Sequence, residues 1–443
     1  MNLAAHWGRF SWVAASRVMP LIYGAVFVLV VIPALPVEEH GKFAIVFSLF
    51  SATALLNKYL VLHPMIRYAS LPGQFAVSAR AGFQLSLLFY IAAGFIIWVT
   101  APITAAMWRI SAVDVRLAVP LLAAIFFREY GFCIQQTLFR ASRLFALEAV
   151  YFLGAATGFV YLLATHRLVN AEAALEVILY SAVSSSLLAV ILGGRLSAAV
   201  QEGTGRDTRP PGWFKLASLD QTVVILKYGL STLVIGLTGS IIYGTDILLI
   251  AGFYTPTEVA LYNGGKQVYR MVTALTQAVA LLAMPYAARL ESQGKGEELR
   301  GLFEKTQAYT FLLLAALTAG VWLTADSLYG LFLGEKYAGS APILRIMMLG
   351  APFEGLYTVG GNILYGLGAA APVAVISLIS MGVWLGTSVV GVYTMGVLGG
   401  ALGLSAAMIY AGGATFRIGA RRFNSSVGAT FHRLVINLKT LLY

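Results

Sequence analysis

The sequence predicts an all-α polytopic membrane protein of twelve transmembrane helices, arranged as two six-helix bundles. Hydrophobic residues make up 59% of the chain and charged residues 11%, whereas a soluble protein carries about 25% charged residues. The mean hydropathy is +0.81. Apolar runs of about 20 residues, the length that spans the hydrocarbon of a bilayer, recur along the chain. A β-barrel would instead alternate polar and apolar residues in runs of about 10, a pattern that this sequence lacks.

The second observation is an internal repeat at an offset of 220 residues, about half of the 443-residue chain. Nine identities fall in the ungapped stretch 22–57. They pair Ile22-Tyr23-Gly24, Leu29, Pro36, Glu38 and Thr53-Ala54-Leu55 with Ile242-Tyr243-Gly244, Leu249, Pro256, Glu258 and Thr273-Ala274-Leu275. Apolar composition does not explain the matches of Tyr, Gly, Pro and Glu. A duplicated membrane chain is typical of transporters in which two bundles of helices face a central path.

The third observation is the unequal distribution of Lys and Arg. With both termini cytoplasmic, the inside segments hold twenty of these residues and the outside segments five, as the positive-inside rule requires. This asymmetry largely accounts for the net charge of +11, so the charge does not call for a nucleic-acid partner. Six spans separate the repeats, so both bundles enter the membrane with the same polarity. We expect a parallel pseudo-two-fold repeat and a V shape with a central cavity.

The predicted spans follow the apolar stretches in order. The first six lie near 11–34, 41–63, 79–101, 113–136, 144–165 and 173–194. The second six lie near 223–252, 259–284, 307–332, 341–366, 371–393 and 396–416. The first span lacks a small-residue cleavage site and is expected to be retained.

Four parts follow from this arrangement. They are an N-terminal six-helix bundle (1–198), a cytoplasmic linker (199–222), a C-terminal six-helix bundle (223–418) and a basic amphipathic tail (419–443). The linker is rich in Gly and Pro, which favour loops. In the tail, Phe431, Leu434, Val435, Leu438 and Leu442 share one helical face beside Arg433 and Lys439. We expect a helix lying on the inner leaflet.

The eighth span carries the clearest polar pattern. Lys266, Arg270, Thr273 and Gln277 are spaced i, i+4, i+7, i+11 and therefore share one helical face. The matching part of the second span offers Thr53, Asn57 and the adjacent Lys58. These residues predict a cationic, hydrophilic path that binds an anionic substrate headgroup. In the alternative interpretation, Lys266 extends to the membrane interface and Arg270 pairs with a carboxylate.

Other ionisable residues inside spans are further candidates, because a charge in hydrocarbon is costly and usually faces a cavity or a partner. Asp246 and Glu354 could each bind a coupling Na⁺ or H⁺, or could neutralise Arg270 or Arg128. Arg17 and Arg128 are additional headgroup candidates. Arg17 could instead be an inside anchor, and Arg128 with Glu129 could pair with neighbours.

Enzymatic motifs are missing, so we expect a protein that is not an enzyme. The sequence has no G-x-x-x-x-G-K-[ST] phosphate loop. The five histidines are scattered and form no metal-ligand spacing. Cys133, the single cysteine, is expected in the core. Gly154-x-x-x-Gly158 is interpreted as a helix-packing motif. No catalytic residue, metal or cofactor is predicted.

Several stretches resemble the polysaccharide flippases. Those in the seventh and eighth spans are Lys227-Tyr228-Gly229-Leu230, Asp246-Ile247-Leu248-Leu249-Ile250 and Pro256-Thr257-Glu258-Val259-Ala260-Leu261-Tyr262. A later one is Leu331-Phe332-Leu333-Gly334-Glu335-Lys336-Tyr337, followed by Ala341-Pro342-Ile343-Leu344-Arg345. The resemblance covers nearly the whole chain in layout and is most specific from about 227 to 350. This family belongs to the multidrug/oligosaccharidyl-lipid/polysaccharide exporter superfamily.

The resemblance implies a flippase that moves undecaprenyl-pyrophosphate-linked O-antigen or exopolysaccharide repeat units across the bacterial inner membrane by alternating access. The basic residues would hold the pyrophosphate, and the polyprenyl tail would stay among the membrane lipids. A polysaccharide polymerase and glycosyltransferases are the implied partners of a functional monomer. Ile247 stands where the family often has a basic residue. The chain also lacks the two extra helices of the lipid II flippases.

Two other functions stay open at this point. A cation-coupled multidrug exporter of the same superfamily would need carboxylates lining its cavity, and the basic stripe would repel cationic drugs. A membrane-embedded polysaccharide polymerase or ligase would need a large outer loop, by analogy with such enzymes. The predicted outer loops are short.

Overall fold

The computed structural model describes residues 19–71, 73–138, 140–194, 217–240 and 244–426, together with Trp12, Ala15 and Gly428. These ranges are almost entirely helical. Arg17, most of the linker and the tail from residue 429, including the predicted surface helix, lie outside the described residues.

Twelve helices occupy the described ranges, and each corresponds to one predicted span. The first six are α1 (Met19–Ala34), α2 (Val37–Ala69), α3 (Phe75–Trp108), α4 (Ala112–Thr137), α5 (Ala141–Ala164) and α6 (Ala171–Gly194). The second six are α7 (Leu219–Ser240 and Asp246–Phe253), α8 (Pro256–Ser292), α9 (Gly296–Leu333), α10 (Ser340–Gly366), α11 (Ala370–Met395) and α12 (Val397–Arg422). The predicted fold class is confirmed.

Hydropathy explains most of these helices. Eight of the described ones, α2 to α6, α9, α11 and α12, are long and apolar enough to cross a membrane, and α1 is a shorter apolar helix. The helix α8 is more polar because it carries the predicted stripe. In a bilayer, an α-helix satisfies all its backbone N–H and C=O groups within its own segment, whereas a sheet does so only when it closes into a barrel.

The repeat is visible in how α2 and α8 begin. Pro36 immediately precedes the first residue of α2, and Pro256 is the first residue of α8. Proline is favoured at a helix start, where its missing N–H costs nothing. Each first turn carries an acidic side chain that accepts a backbone N–H: Glu39 from Ala171 and Glu258 from Thr255, both at 2.9 Å. A negative charge there also offsets the helix dipole.

Small residues allow close packing between neighbouring helices. A Cβ added to Gly158 would stand 2.7 Å from a methyl group of Val177, and one added to Gly154 would stand 3.4 Å from the Ser181 hydroxyl. These contacts join α5 to α6 and support the packing interpretation of the Gly154 motif. The backbones of α11 and α12 are in close contact at Gly391 and Gly399. A Cβ added to Gly399 would overlap the backbone of Gly391.

Contacts divide the chain into two compact units. Unit 1 is Met1–Ala260 and unit 2 is Leu261–Tyr443. The division of the sequence at the linker stays a prediction, because repeat boundaries and contact boundaries measure different properties.

Candidate functional site

The predicted polar stripe of α8 lies along the edge of its buried face. Lys266 is 1% exposed and Thr273 4% exposed, whereas Arg270 and Gln277 are exposed. The buried face of this part of α8 also includes Tyr262, Tyr269 and Thr276. The stripe is therefore divided: two members enter the interior of unit 2 and two stay accessible.

Arg270 is the accessible cation of the stripe. Among the residues that the structure describes, no carboxylate forms an ion pair or hydrogen bond with its guanidinium. The side chain is exposed well inside a helix of 37 residues. A guanidinium in that position is available to a phosphate, which it can hold through two parallel hydrogen bonds.

The matching part of α2 is buried. Asn57 is 0% exposed and Thr53 is 8% exposed. The Thr53 hydroxyl donates to the Leu49 carbonyl at 2.8 Å. The Asn57 amide lies beside the Tyr90 hydroxyl, but neither group has a hydrogen-bond partner of good geometry among the described residues. Unpaired buried amides are rare in folded proteins and often mark water or a functional role.

A π-helical turn begins directly after Asn57 and runs from Lys58 to Leu62. Such turns occur mostly as single interruptions of α-helices and are frequent at functional sites. Lys58 is half-buried and lies in electrostatic range of His63 and Cys133. Cys133 itself is fully buried and unpaired with another cysteine.

Arg128 on α4 is compensated by two carboxylates and an aromatic ring, although its Nε has no hydrogen-bond partner among the described residues. Its guanidinium contacts the Glu129 carboxylate and lies 3.2 Å from the Glu148 carboxylate on α5. It also stacks over the ring of Tyr151, 4.2 Å from the centroid. Arg128 is 5% exposed. Two carboxylates and an aromatic face use most of its binding capacity, which supports the pairing interpretation rather than a contact with substrate.

Asp246 begins the second segment of α7. It is 1% exposed, and one carboxylate oxygen accepts the Ile247 N–H at 2.9 Å. A carboxylate in the first turn of a helix is stabilised by the helix dipole. Asp246 is therefore a buried residue of unit 1, at the start of a helical segment.

Glu354 on α10 lies in the interior of unit 2. It is 2% exposed and accepts a hydrogen bond of 2.5 Å from the Tyr269 hydroxyl on α8. This hydrogen bond joins α8 to α10 in the interior of unit 2.

Sequence reasoning missed Glu148 and Tyr269. A carboxylate inside the fifth predicted span is a signal that could have identified Glu148. Tyr269 follows Lys266 by three residues and so shares its helical face. The pairing of Tyr269 with Glu354 joins residues 85 positions apart, which no local pattern predicts.

Comparisons with known proteins agree with this arrangement. The sequence model of a family described as polysaccharide biosynthesis protein matches residues 34–342. An uncharacterized membrane protein of Methanocaldococcus jannaschii is 25% identical over 146 residues, which are 32% of this chain and only 29% of that protein's length.

Solved structures share the fold. An inward-facing multidrug resistance MATE family transporter of the MOP superfamily aligns with a TM-score of 0.72 and 17% identity, over 92% of this chain and 94% of its own. The lipid II flippase MurJ, in an inward closed conformation, aligns with a TM-score of 0.72 and 12% identity, over 98% of this chain and 92% of its own. At such identities the likeness concerns the fold.

Proposed function

Because the chain belongs to the family of polysaccharide biosynthesis proteins, we propose that it is a flippase. Its substrate is an undecaprenyl-pyrophosphate-linked oligosaccharide repeat unit, which it translocates across the bacterial inner membrane by alternating access. The observation that supports this best is Arg270, an exposed guanidinium without a carboxylate partner among the described residues. A pyrophosphate cannot enter hydrocarbon without compensation, and a guanidinium is suited to compensate it.

In unit 2, the headgroup site extends from Arg270 along α8 to Gln277. In unit 1, Asn57 and Lys58 on α2 are separate candidates for binding the headgroup. Lys266 and Thr273 belong to the same stripe of α8 but are buried in unit 2. Arg128 positions α4 against α5 rather than touching substrate. A neutral sugar needs hydrogen bonds, which the amides of Gln277 and Asn57 can supply.

Coupling to an ion would involve Glu354 or Asp246. Both are buried carboxylates within the helical bundles, and an ionisable group inside a membrane-spanning segment is a candidate for binding Na⁺ or H⁺.

The flippase proposal is tested in a strain that lacks this protein. Lipid-linked repeat units should accumulate at the inner leaflet, and the wild-type gene should restore surface polysaccharide. Arg270→Ala should fail to restore it while remaining at wild-type level in the membrane. The control is Arg289→Ala, an exposed arginine in the last turn of the same helix, which should restore it. Normal surface polysaccharide in the strain without the protein would refute the proposal.

Export of cationic drugs is the competing function. Arg270 and Lys266 on one helix would repel such substrates, which counts against it. A drug-susceptibility panel on the same strain separates the two functions, because an exporter of drugs would leave polysaccharide intact and change susceptibility.

The proposed orientation places both termini in the cytoplasm of a functional monomer that receives substrate from glycosyltransferases and delivers it to a polymerase. The single native cysteine, Cys133, is buried, so an introduced cysteine reports its own side of the membrane. A membrane-impermeant maleimide should label Ala338→Cys from outside and should not label Gln293→Cys. Both positions are exposed. The reverse pattern would invert the orientation.

A further inference from the structure

The helices α9 and α10 of unit 2 form an apolar groove that the headgroup site does not use. Its volume is about 410 Å³, within the range of about 300–1,000 Å³ that is typical of small-molecule sites. The residues that line it include Ala315, Thr318, Ala319 and Trp322 of α9 and Leu349 and Pro352 of α10. Trp322 and Leu349 are 48% and 49% exposed. On membrane-spanning helices, an exposed surface this apolar faces lipid.

Pro352 explains why the groove contains so little polar surface. It lies inside α10 and has no N–H, so the Met348 carbonyl one turn earlier lacks its helical hydrogen bond. The Thr318 hydroxyl of α9 donates to this carbonyl at 3.1 Å. The hydroxyl is thus used between the two helices, and the other side chains of the lining are apolar. Hydrocarbon, rather than a sugar or water, is the chemistry that fills such a groove.

The groove is elongated because small side chains recur along α9. Ala315 and Ala319 are one turn apart and leave a recess beside the larger Trp322 and Leu349. The seven residues from Ala315 to Trp322 rise about 10 Å along the helix. A long, thin ligand such as a lipid chain fits this shape better than a compact one.

A pair of opposite charges lies at one end of the groove. The Arg345 guanidinium of α10 donates through Nη2 to the Asp326 carboxylate at 2.6 Å and through Nε to the Trp322 carbonyl at 3.1 Å. It also lies 5.7 Å from the centroid of the Trp322 ring. Trp322 therefore contacts both the groove and the ion pair.

Both charges stay accessible. The side chains of Arg345 and Asp326 are 27% and 72% exposed. Among the residues that the structure describes, no hydrogen bond uses Nη1 of Arg345 or Oδ1 of Asp326. A guanidinium beside a carboxylate matches a headgroup that carries both charges, with its phosphate on the arginine and its ammonium on the aspartate. A headgroup that is only anionic would be repelled by Asp326.

The ion pair lies at the depth of a lipid headgroup. Arg345 is the sixth residue of α10, which has 27 residues. Such a helix is about 40 Å long, or about 10 Å longer than the hydrocarbon core of a bilayer. With α10 centred in the bilayer, Arg345 is within about 3 Å of the edge of the hydrocarbon. Tryptophan is enriched at this level, and the groove runs from there into the hydrocarbon.

We propose that the groove between α9 and α10 binds a phospholipid of the surrounding bilayer whose headgroup is phosphoethanolamine. One acyl chain lies in the groove against Ala315 and Ala319, the phosphate contacts Arg345, and the ammonium contacts Asp326. The whole site belongs to unit 2. The bound lipid takes no part in glycan recognition, so this inference goes beyond the proposed function and does not depend on it.

The test uses the purified full-length protein in detergent and a phosphatidylethanolamine that carries a diazirine on one acyl chain. After irradiation, mass spectrometry of peptides should locate the cross-links at 315–323 and 349–352. Unlabelled phosphatidylethanolamine should compete about tenfold better than phosphatidylglycerol. Cross-links only at other positions, or equal competition by phosphatidylglycerol or by a polyprenyl phosphate, would overturn the proposal.

Two variants, each with a matched control, separate the chain from the headgroup. Ala319→Phe fills the groove and should reduce labelling about tenfold, or about 1.4 kcal/mol, whereas Ala316→Phe, an exposed position outside the groove on the same helix, should label like the wild type. Asp326→Asn should reduce the preference for phosphatidylethanolamine to about threefold or less, and Glu335→Gln, another exposed carboxylate, should keep it. Undiminished labelling of Ala319→Phe with a wild-type unfolding midpoint would overturn the proposal.

Discussion

The helices α2 and α8 are repeats of one another, yet they differ at corresponding positions. At the offset of 220 residues, Val46 and Phe50 of α2 correspond to Lys266 and Arg270 of α8. Val46 and Phe50 are core residues, 1% and 4% exposed, whereas Arg270 is exposed. The two repeats thus form corresponding helices, but only α8 has basic residues at these two positions. We expect the pyrophosphate to bind at the basic residues of α8.

Two arginines that lie within long helices, Arg128 and Arg270, also differ between the units. Arg128 in unit 1 is buried between two carboxylates and an aromatic ring. Arg270 in unit 2 is exposed and has no carboxylate partner among the described residues. A compensated arginine contributes to the structure of its unit, and an uncompensated one is available to a ligand. The predictions below separate these roles, beginning with the largest expected effect.

Arg128→Ala should destabilise the protein severely. Removing one partner of a buried ion pair leaves the other charge uncompensated, which costs about 3–5 kcal/mol. We expect a large fall in the midpoint of thermal unfolding in detergent and little folded protein in the membrane. Adding Glu148→Gln should recover part of this loss, because it removes one of the stranded carboxylates. A folded Arg128→Ala variant that lost only transport would contradict the structural role.

Gly41→Ala tests the packing of α2 against the start of α8 within unit 1. A methyl group at this position would overlap the backbone carbonyl of Pro256, and overpacking of this kind costs about 1–3 kcal/mol. The unfolding midpoint should fall. Gly24→Ala is the control, since a Cβ there would meet no atom within 4 Å. Equal midpoints for both variants would show that the two helix ends are not in contact.

Asn57→Leu should reduce transport without destabilising the protein. The Asn57 amide has no hydrogen bond of good geometry to any residue that the structure describes, so an apolar side chain of similar size should leave the free energy of unfolding unchanged or raise it by about 1 kcal/mol. Ser48→Ala is the control, because Ser48 is a buried polar residue of the same helix outside the predicted path, and this variant should leave transport intact. A clear loss of stability in Asn57→Leu would indicate a partner and a structural role.

Gln277→Ala should have the smallest effect. Its exposed amide contributes at most a neutral hydrogen bond to a sugar, worth about 0.5–1.5 kcal/mol. The transport rate should therefore fall only a few-fold, less than in Arg270→Ala, with an unchanged unfolding midpoint. A loss as large as that of Arg270→Ala would move the centre of the headgroup site along α8.

Sequence reasoning predicted the fold well because hydropathy and the positive-inside rule act on whole segments. All twelve predicted spans have a helix, and the matching prolines at 36 and 256 begin the equivalent ones. The site was harder to predict. Helical spacing places Lys266 and Arg270 on one face but does not tell which of them is buried, because that depends on neighbouring helices. The Tyr269–Glu354 contact and the close packing of Gln307 against Gly360 arise from tertiary packing, which the sequence pattern does not contain.

The central claim is that Arg270 holds the pyrophosphate of the substrate. The direct measurement is the dissociation constant of the purified protein for a short-chain polyprenyl pyrophosphate without a glycan. Loss of a charged hydrogen bond costs about 1.5–3 kcal/mol, so Arg270→Ala should weaken binding by about 10- to 100-fold. Arg289→Ala should bind like the wild type. Equal affinity of Arg270→Ala and the wild type, with both proteins folded, would contradict the claim.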